Sequence, residues 1–230
     1  MKSSNYYQHL KENKMSAVEL LNVTKKFGAR TILNAVSFSV AEGELVALVG
    51  PSGCGKSTIL NMIGLLETCD SGEIRIFGEK IPKIESKNAT KLRRCVVNYL
   101  FQSFALIGDM TVEQNLLLSM RFLDIQEKAK HNRINKILDE VNLRQLKDAT
   151  VNTMSGGEQQ RVALARAVLK PGALILADEP TGSLDANAAG NAFMLIQELC
   201  RHYKKTVIMV THSPELAQKA DRTVDMLELG

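Results

Sequence analysis

Leu45-Val46-Ala47-Leu48-Val49-Gly50-Pro51-Ser52-Gly53-Cys54-Gly55-Lys56-Ser57-Thr58 is the stretch on which the reading of this 230-residue chain turns. Five consecutive apolar residues end at a glycine, and a helical pattern over residues 56–66 follows. A short run that is apolar at every position suits a strand buried on both faces, as in a parallel sheet covered by helices. Between strand and helix, Gly50 to Ser57 match G-x-x-x-x-G-K-[ST] in the context that motif requires. Gly50, Gly53 and Gly55 let the backbone wrap closely, so that the N–H groups of a loop running through Pro51, Ser52 and Cys54 can point at phosphate oxygens. The positive end of the helix opening at Lys56, Ser57 and Thr58 adds to the attraction. Lys56 would bring a point charge to the β- and γ-phosphates of a nucleoside triphosphate, and the Ser57 hydroxyl would ligate Mg²⁺. From average glycine usage the bare pattern arises by chance in about one chain in a hundred of this length.

Two runs resemble the first strand: residues 173–177, ending at Asp178, and residues 206–210, ending at Thr211-His212. Helical patterns accompany them over residues 158–169 and 188–203, and alternating strand and helix argues for an α/β fold. The acids after the second run supply what a phosphate loop lacks. Asp178 can hold the metal through water, and Glu179 can polarise an attacking water as general base. Taken alone, acids in that place are also what a solvated loop would carry; the upstream phosphate loop favours the chemical assignment.

Upstream of the phosphate loop, residues 18–23 and 32–40 alternate β-rich stretches with turn residues such as Gly28 and Glu42-Gly43, which reads as a small antiparallel sheet. From about residue 103 to 165 the pattern turns helical, with Ile134, Ile137, Leu138 and Val141 at i, i+3, i+4 and i+7 on a charged background. The expected architecture is a mostly parallel α/β core with an N-terminal antiparallel subdomain and an inserted helical subdomain at about 103–165. Residues 1–15 are polar, lack the apolar stretch of a secretory signal, and are set apart from a domain at 16–230.

Composition narrows the classes. Apolar residues make up 45% and charged residues 23%, an ordinary globular balance, and no apolar run approaches the ~20 residues of a membrane span. The net charge of +4 comes from scattered Lys and Arg, with no basic run or basic-aromatic stripe, so nothing argues for nucleic acid. Cys54, Cys69, Cys95 and Cys200 have neither metal-ligand nor redox spacing and read as reduced thiols of a cytosolic protein.

One further motif separates phosphate-loop families. Met154-Ser155-Gly156-Gly157-Glu158-Gln159-Gln160-Arg161 precedes Asp178 and resembles the signature of ATP-binding-cassette (ABC) ATPases. Its own logic is a helix start whose Ser155 hydroxyl and bare glycine N–H groups form a second anion site. The resemblance extends over essentially all of residues 17–230. Gln102 resembles the Q-loop glutamine, Ser183-Leu184-Asp185 the D-loop, His212 the switch histidine, and Phe27 the aromatic that stacks on adenine. The resemblance implies a P-loop NTPase (RecA-like) core and a transport-coupled ATPase using ATP and Mg²⁺. It places Lys56, Gln102, Glu179 and His212 in catalysis, and Ser57, Gln102 and Asp178 at the metal. Phe27, residues 50–58, Ser155, Gly156, Gly157, Glu158 and Asp185 would bind nucleotide, the signature acting across an ATP-dependent head-to-tail homodimer. An integral membrane permease would be the partner, with the subunit peripheral on the cytoplasmic face of the cell membrane.

Residues 100–107, 178–185 and 210–217 are similar to the macrolide-efflux and lipoprotein-release class, and residues 104–115 to ATPases of bacteriocin or peptide exporters. The class implies export or extraction through a separately encoded permease. Its cell-division relatives imply an alternative, a mechanical module whose permease transports nothing. Non-transport ABC proteins fit less well, because only about a hundred residues separate Lys56 from Ser155. Met154 in place of the usual Leu and Phe27 in place of Tyr keep volume and ring, so neither should disturb nucleotide binding. Residues 149–153 lack the aromatic-Pro pattern frequent among relatives, which leaves the form of contact with a permease open.

Overall fold

A computed structural model describes residues 16–182 and 184–229; the polar segment 1–15 and Ser183 of the D-loop motif lie outside the described residues. Strands β1 (Val18–Phe27) and β2 (Arg30–Val40) pair antiparallel, and β4 (Ser71–Ile76) with β5 (Glu79–Lys80) extends them into a sheet of order β2-β1-β4-β5. The second sheet has order β6-β7-β8-β3-β9, from β3 (Leu45–Val49), β6 (Val97–Leu100), β7 (Leu174–Asp178), β8 (Thr206–Val210) and β9 (Arg222–Asp225). All of its neighbours run parallel.

The apolar runs are buried from both sides, for a reason visible residue by residue. Val46, Leu48, Leu174, Leu176, Ile208 and Val210 belong to one core, with the antiparallel sheet and α1 (Lys56–Ile63). The intervening Leu45, Ile175, Ala177, Val207 and Met209 belong to a second, with α5 (Gly156–Leu169) and α6 (Ala186–His202). Successive side chains point to opposite faces. A strand between two cores must therefore be apolar throughout.

Between β5 and β6 in the chain lies α2 (Lys87–Cys95), capped by Ser86, which accepts from the Ala89 N–H. Beyond β6, α3 (Val112–Ser119) starts with a capping box from Thr111 and Gln114, and α4 (Glu127–Glu140) buries Ile134, Ile137 and Leu138 in the second core. The short α7 (Pro214–Ala217) follows β8, capped by Ser213. No helix among the described residues is long and apolar enough to cross a membrane.

Candidate active site

Register places the chemistry. Leu48 and Asp178 both pair with Val210 across β3, β8 and β7, so these parallel strands end together. The chain segments after them therefore leave the same edge of the sheet, where ligands of open α/β sheets bind. After β3 comes the phosphate loop, after β7 Asp178-Glu179, after β8 Thr211-His212 and after β6 Gln102.

The phosphate loop is held by backbone geometry that needs glycine. Gly50 and Gly53 have φ of 141° and 79°. Gly55, at φ 101°, lies so close to β2 that an added Cβ would stand 2.6 Å from the Leu33 side chain. Gly55 is also the N-cap of α1 and offers no capping side chain, so among the described residues no cap side chain claims the first N–H groups of that helix. Lys56 is buried, and its ammonium donates to the carbonyls of Gly50 (2.8 Å) and Pro51 (2.9 Å). The lysine thus bridges back across the mouth of its own loop.

A cavity of about 340 Å³ opens over this loop, lined by Ser52, Gly53, Gly55, Lys56, Ser57 and Thr58. Phe27 stands at its side, half exposed, and Glu179 and His212 complete it. The Phe27 ring already carries the Lys25 ammonium at 4.9 Å from its centroid, and Lys25 is fixed by an ion pair with Glu67 at 2.8 Å. Ser57 Oγ donates to Asp178 Oδ1 at 3.1 Å, across 121 residues of sequence. Burial first, and then the neighbouring Glu179 carboxylate, push the Asp178 carboxyl above its ordinary pKa. The arrangement favours a nearby cation, which would relieve both effects. Ser57 and Asp178 together offer one hydroxyl and one carboxylate, and no group of three or more His, Cys, Asp or Glu among the described residues is placed to hold a metal ion. That suits Mg²⁺, which keeps waters and takes substrate phosphate oxygens to complete its shell.

Glu179 pairs with His212, Oε1 to Nε2, at 2.7 Å. Its backbone sits at φ 47°, a left-handed conformation costly for a residue with a side chain, and its N–H is tied to the Val210 carbonyl at 3.1 Å. Neighbouring pairing therefore fixes the direction in which the carboxylate leaves the strand. Gln102 lies close by: a Cβ added at Gly182 would stand 3.3 Å from both Gln102 Nε2 and Glu179 Oε2.

The signature lies apart. Ser155, Gly156, Gly157 and Glu158 do not line the phosphate-loop cavity. Ser155 is the N-cap of α5, in a capping box with Glu158: Glu158 Oε2 accepts from the Ser155 N–H at 2.8 Å and from its hydroxyl at 2.7 Å. An added Cβ at Gly156 would meet nothing within 4 Å, and one at Gly157 only the Arg161 guanidinium at 3.9 Å. Neither glycine has a positive φ. The chain's own packing thus makes no demand for these two glycines. Asp185 accepts from the Ala188 N–H at 2.9 Å as the N-cap of α6.

Other polar contacts emerge only from the fold. Buried Gln160 donates from Nε2 to the Pro180 carbonyl, joining α5 to the segment after Glu179. Arg166 donates to the carbonyls of Phe104 (2.7 Å) and Ala105, fixing the chain beyond Gln102. Gln160 directly follows the signature's own Gln159, but nothing in the sequence shows that its amide turns inward.

Known proteins resemble this chain in sequence and fold. The family model described as ABC transporter matches residues 33–182. The lipoprotein-releasing system ATP-binding protein LolD of Bacteroides fragilis is 35% identical over 211 residues, 92% of this chain and 98% of the relative. The macrolide export ATP-binding/permease protein MacB of Neisseria meningitidis is 36% identical over 216 residues, but the chain spans only 33% of that relative's length. Among solved structures, a dimeric post-hydrolysis state of an ATP-binding cassette bound to ADP and Pi superposes with a TM-score of 0.79 at 35% identity. The match covers 90% of this chain and 93% of that one.

Proposed function

The chain belongs to the ABC transporter family as an ATP-binding and ATP-hydrolysing subunit, and on that basis we propose how its residues divide the work. The observation that carries the proposal is the convergence at one sheet edge of Ser57 on Asp178 and Glu179 on His212, beside the phosphate loop. Phe27 stacks on adenine with the face that Lys25 leaves free. The backbone of residues 50–58 and Lys56 hold the phosphates. Ser57 and Asp178, with Gln102, would hold Mg²⁺, whose charge would offset that of the terminal phosphates. Glu179 takes a proton from the water that attacks the γ-phosphorus, as the bond from phosphorus to the β–γ bridging oxygen breaks and ADP leaves. His212 orients that carboxylate and reaches the γ-phosphate.

The second anion surface completes the site from another copy of the chain. Ser155 with the N–H groups of Gly156 and Gly157 meets the γ-phosphate held by the partner's loop, in a head-to-tail dimer that ATP binding closes, with Asp185 at the seam. Two observations support this: the glycines have space that their own chain leaves open, and a related cassette is itself dimeric. ATP binding becomes association energy, and hydrolysis releases it.

The partner is an integral membrane permease, and the subunit lies at the cytoplasmic face through it. Relatives named for macrolide export and lipoprotein release favour outward movement or extraction of a substrate. A groove of about 500 Å³ beside Gln102 supports a permease seat: its walls include Arg94, Phe101, Leu118, Phe122, Arg166 and Lys170. Exposed phenyl and leucyl groups among these three cations and Arg93 suit an amphipathic cytoplasmic segment with acidic side chains.

The test is light scattering after size-exclusion chromatography on Glu179→Gln, with and without Mg-ATP. The variant should bind ATP, lose steady turnover and pass from monomer to dimer with nucleotide. Turnover at the parental rate would sink the role of Glu179.

A further inference from the structure

At the rim of the nucleotide cavity stands a cation that none of the motifs accounts for. Strands β1 and β2 are joined through Gly28-Ala29, and Phe27 pairs directly with Arg30 across that two-residue turn. Residues opposite each other in an antiparallel pair project from the same face. Both line the cavity over the phosphate loop. Arg30 Nη2 lies 3.6 Å from where a Cβ on Gly53 would stand, so the guanidinium hangs over the middle of that loop. Arg30 is exposed and has no hydrogen bond or ion pair among the described residues. Lys25, on the same hairpin, is by contrast committed to Glu67 and to the Phe27 ring.

We propose that Arg30 is a further nucleotide-binding residue, whose guanidinium engages the phosphate nearest the nucleoside. It rests on the reading of this cavity as the ATP site. Phe27 marks the base end, and Lys56 and Ser57 the far phosphates. Arg30 neighbours Phe27 on one side and Gly53 on the other, which puts it between those ends. A planar guanidinium fork matches two phosphate oxygens, and one without a carboxylate partner gives up no ion pair to make that contact. The inner phosphate is common to ATP and ADP. Arg30 therefore sets affinity for both, whereas contacts at the terminal phosphate separate them.

The experiment titrates a fluorescent ATP analogue and, by competition, ATP and ADP, against the parent, Arg30→Ala, Arg30→Gln and Arg30→Lys. Loss of one charge-assisted contact at an exposed site should weaken ATP and ADP alike by about tenfold at low salt. Arg30→Lys should recover part of the loss, and the gap should narrow at high ionic strength. Unchanged affinities in both Arg30→Ala and Arg30→Gln overturn the proposal. A loss for ATP with none for ADP overturns it too, since the guanidinium would then belong to the terminal phosphate. Lys56→Ala, run in parallel, tests the cavity separately: parental affinity in that variant would remove the ATP site, whatever Arg30 does.

Discussion

Replacing Gly156 and Gly157 together with alanine should separate folding from assembly. Both positions open α5, neither needs a positive φ, and added methyl groups meet at most ordinary contact at 3.9 Å. Alanine there restricts the unfolded chain and favours the helix, worth about 0.5 kcal/mol at each first-turn position. The monomer should gain about 1 kcal/mol and melt roughly 2–4 °C higher. Assembly should move the other way, because the methyl groups occupy the space through which the partner's phosphate reaches the N–H groups. Losing one charge-assisted contact of about 2 kcal/mol at each of two sites costs about 4 kcal/mol, roughly a thousandfold in the dimer dissociation constant. The assay places both substitutions in the Glu179→Gln background and measures melting temperature and ATP-dependent dimerisation by light scattering. A destabilised monomer would contradict the open space seen at these glycines. A dimer as tight as the parent's would refute the reading that a phosphate meets them.

Other outcomes follow from single contacts. Lys56→Ala should weaken nucleotide binding about a hundredfold in a fluorescent-analogue titration, because it removes the one buried ammonium of the loop. Arg94→Glu reverses the charge of the cation that lies 3.8 Å over the Phe122 ring. It should abolish co-purification with the permease while leaving the ATPase rate of the isolated subunit unchanged; retained co-purification would place the permease elsewhere. Lys205 is nearly buried, its ammonium donating to the carbonyls of Lys170 and Gly172, and burial lowers its pKa from 10.5 to about 8. The folded protein then binds fewer protons than the unfolded chain, so stability rises as pH climbs from about 8 toward 10.5 and is lowest below 8. Lys205→Met should remove about 3 kcal/mol of that rise in denaturant midpoints taken across the window, and an unchanged slope would refute the assignment.

The strands that carry the motif loops were readable because two cores force them to be apolar at each position; residues 45–49 and 206–210 match the observed strands end to end. Strand β6 escaped notice for the opposite reason. Asn98 interrupts its run, and only the fold shows that this buried amide donates to the Ala167 carbonyl at 3.1 Å. Helix α2 offers only Ala89, Leu92 and Cys95 to the core on a strongly charged background, too short a stripe to stand out. At the site, motif spacing named the residues one by one. Their meeting, as in Ser57 with Asp178, depends on strand order, which no local pattern encodes. Arg30 has no motif around it and gains meaning only from the hairpin that hangs it over Gly53.

At each of the two proposed anion surfaces one side-chain donor is already engaged from within. The Lys56 ammonium rests on the Gly50 and Pro51 carbonyls, and the Ser155 hydroxyl on the Glu158 carboxylate. On the proposed roles, nucleotide capture combines an exchange of partners at these two side chains with an addition to the backbone N–H groups that open α1 and α5, and the internal partners act as a threshold. A weakly charged anion gains little by displacing them, while a polyphosphate that outcompetes carbonyls at one surface and a carboxylate at the other gains at both. On those roles, selectivity for a highly charged ligand would follow from the strength of what must be let go.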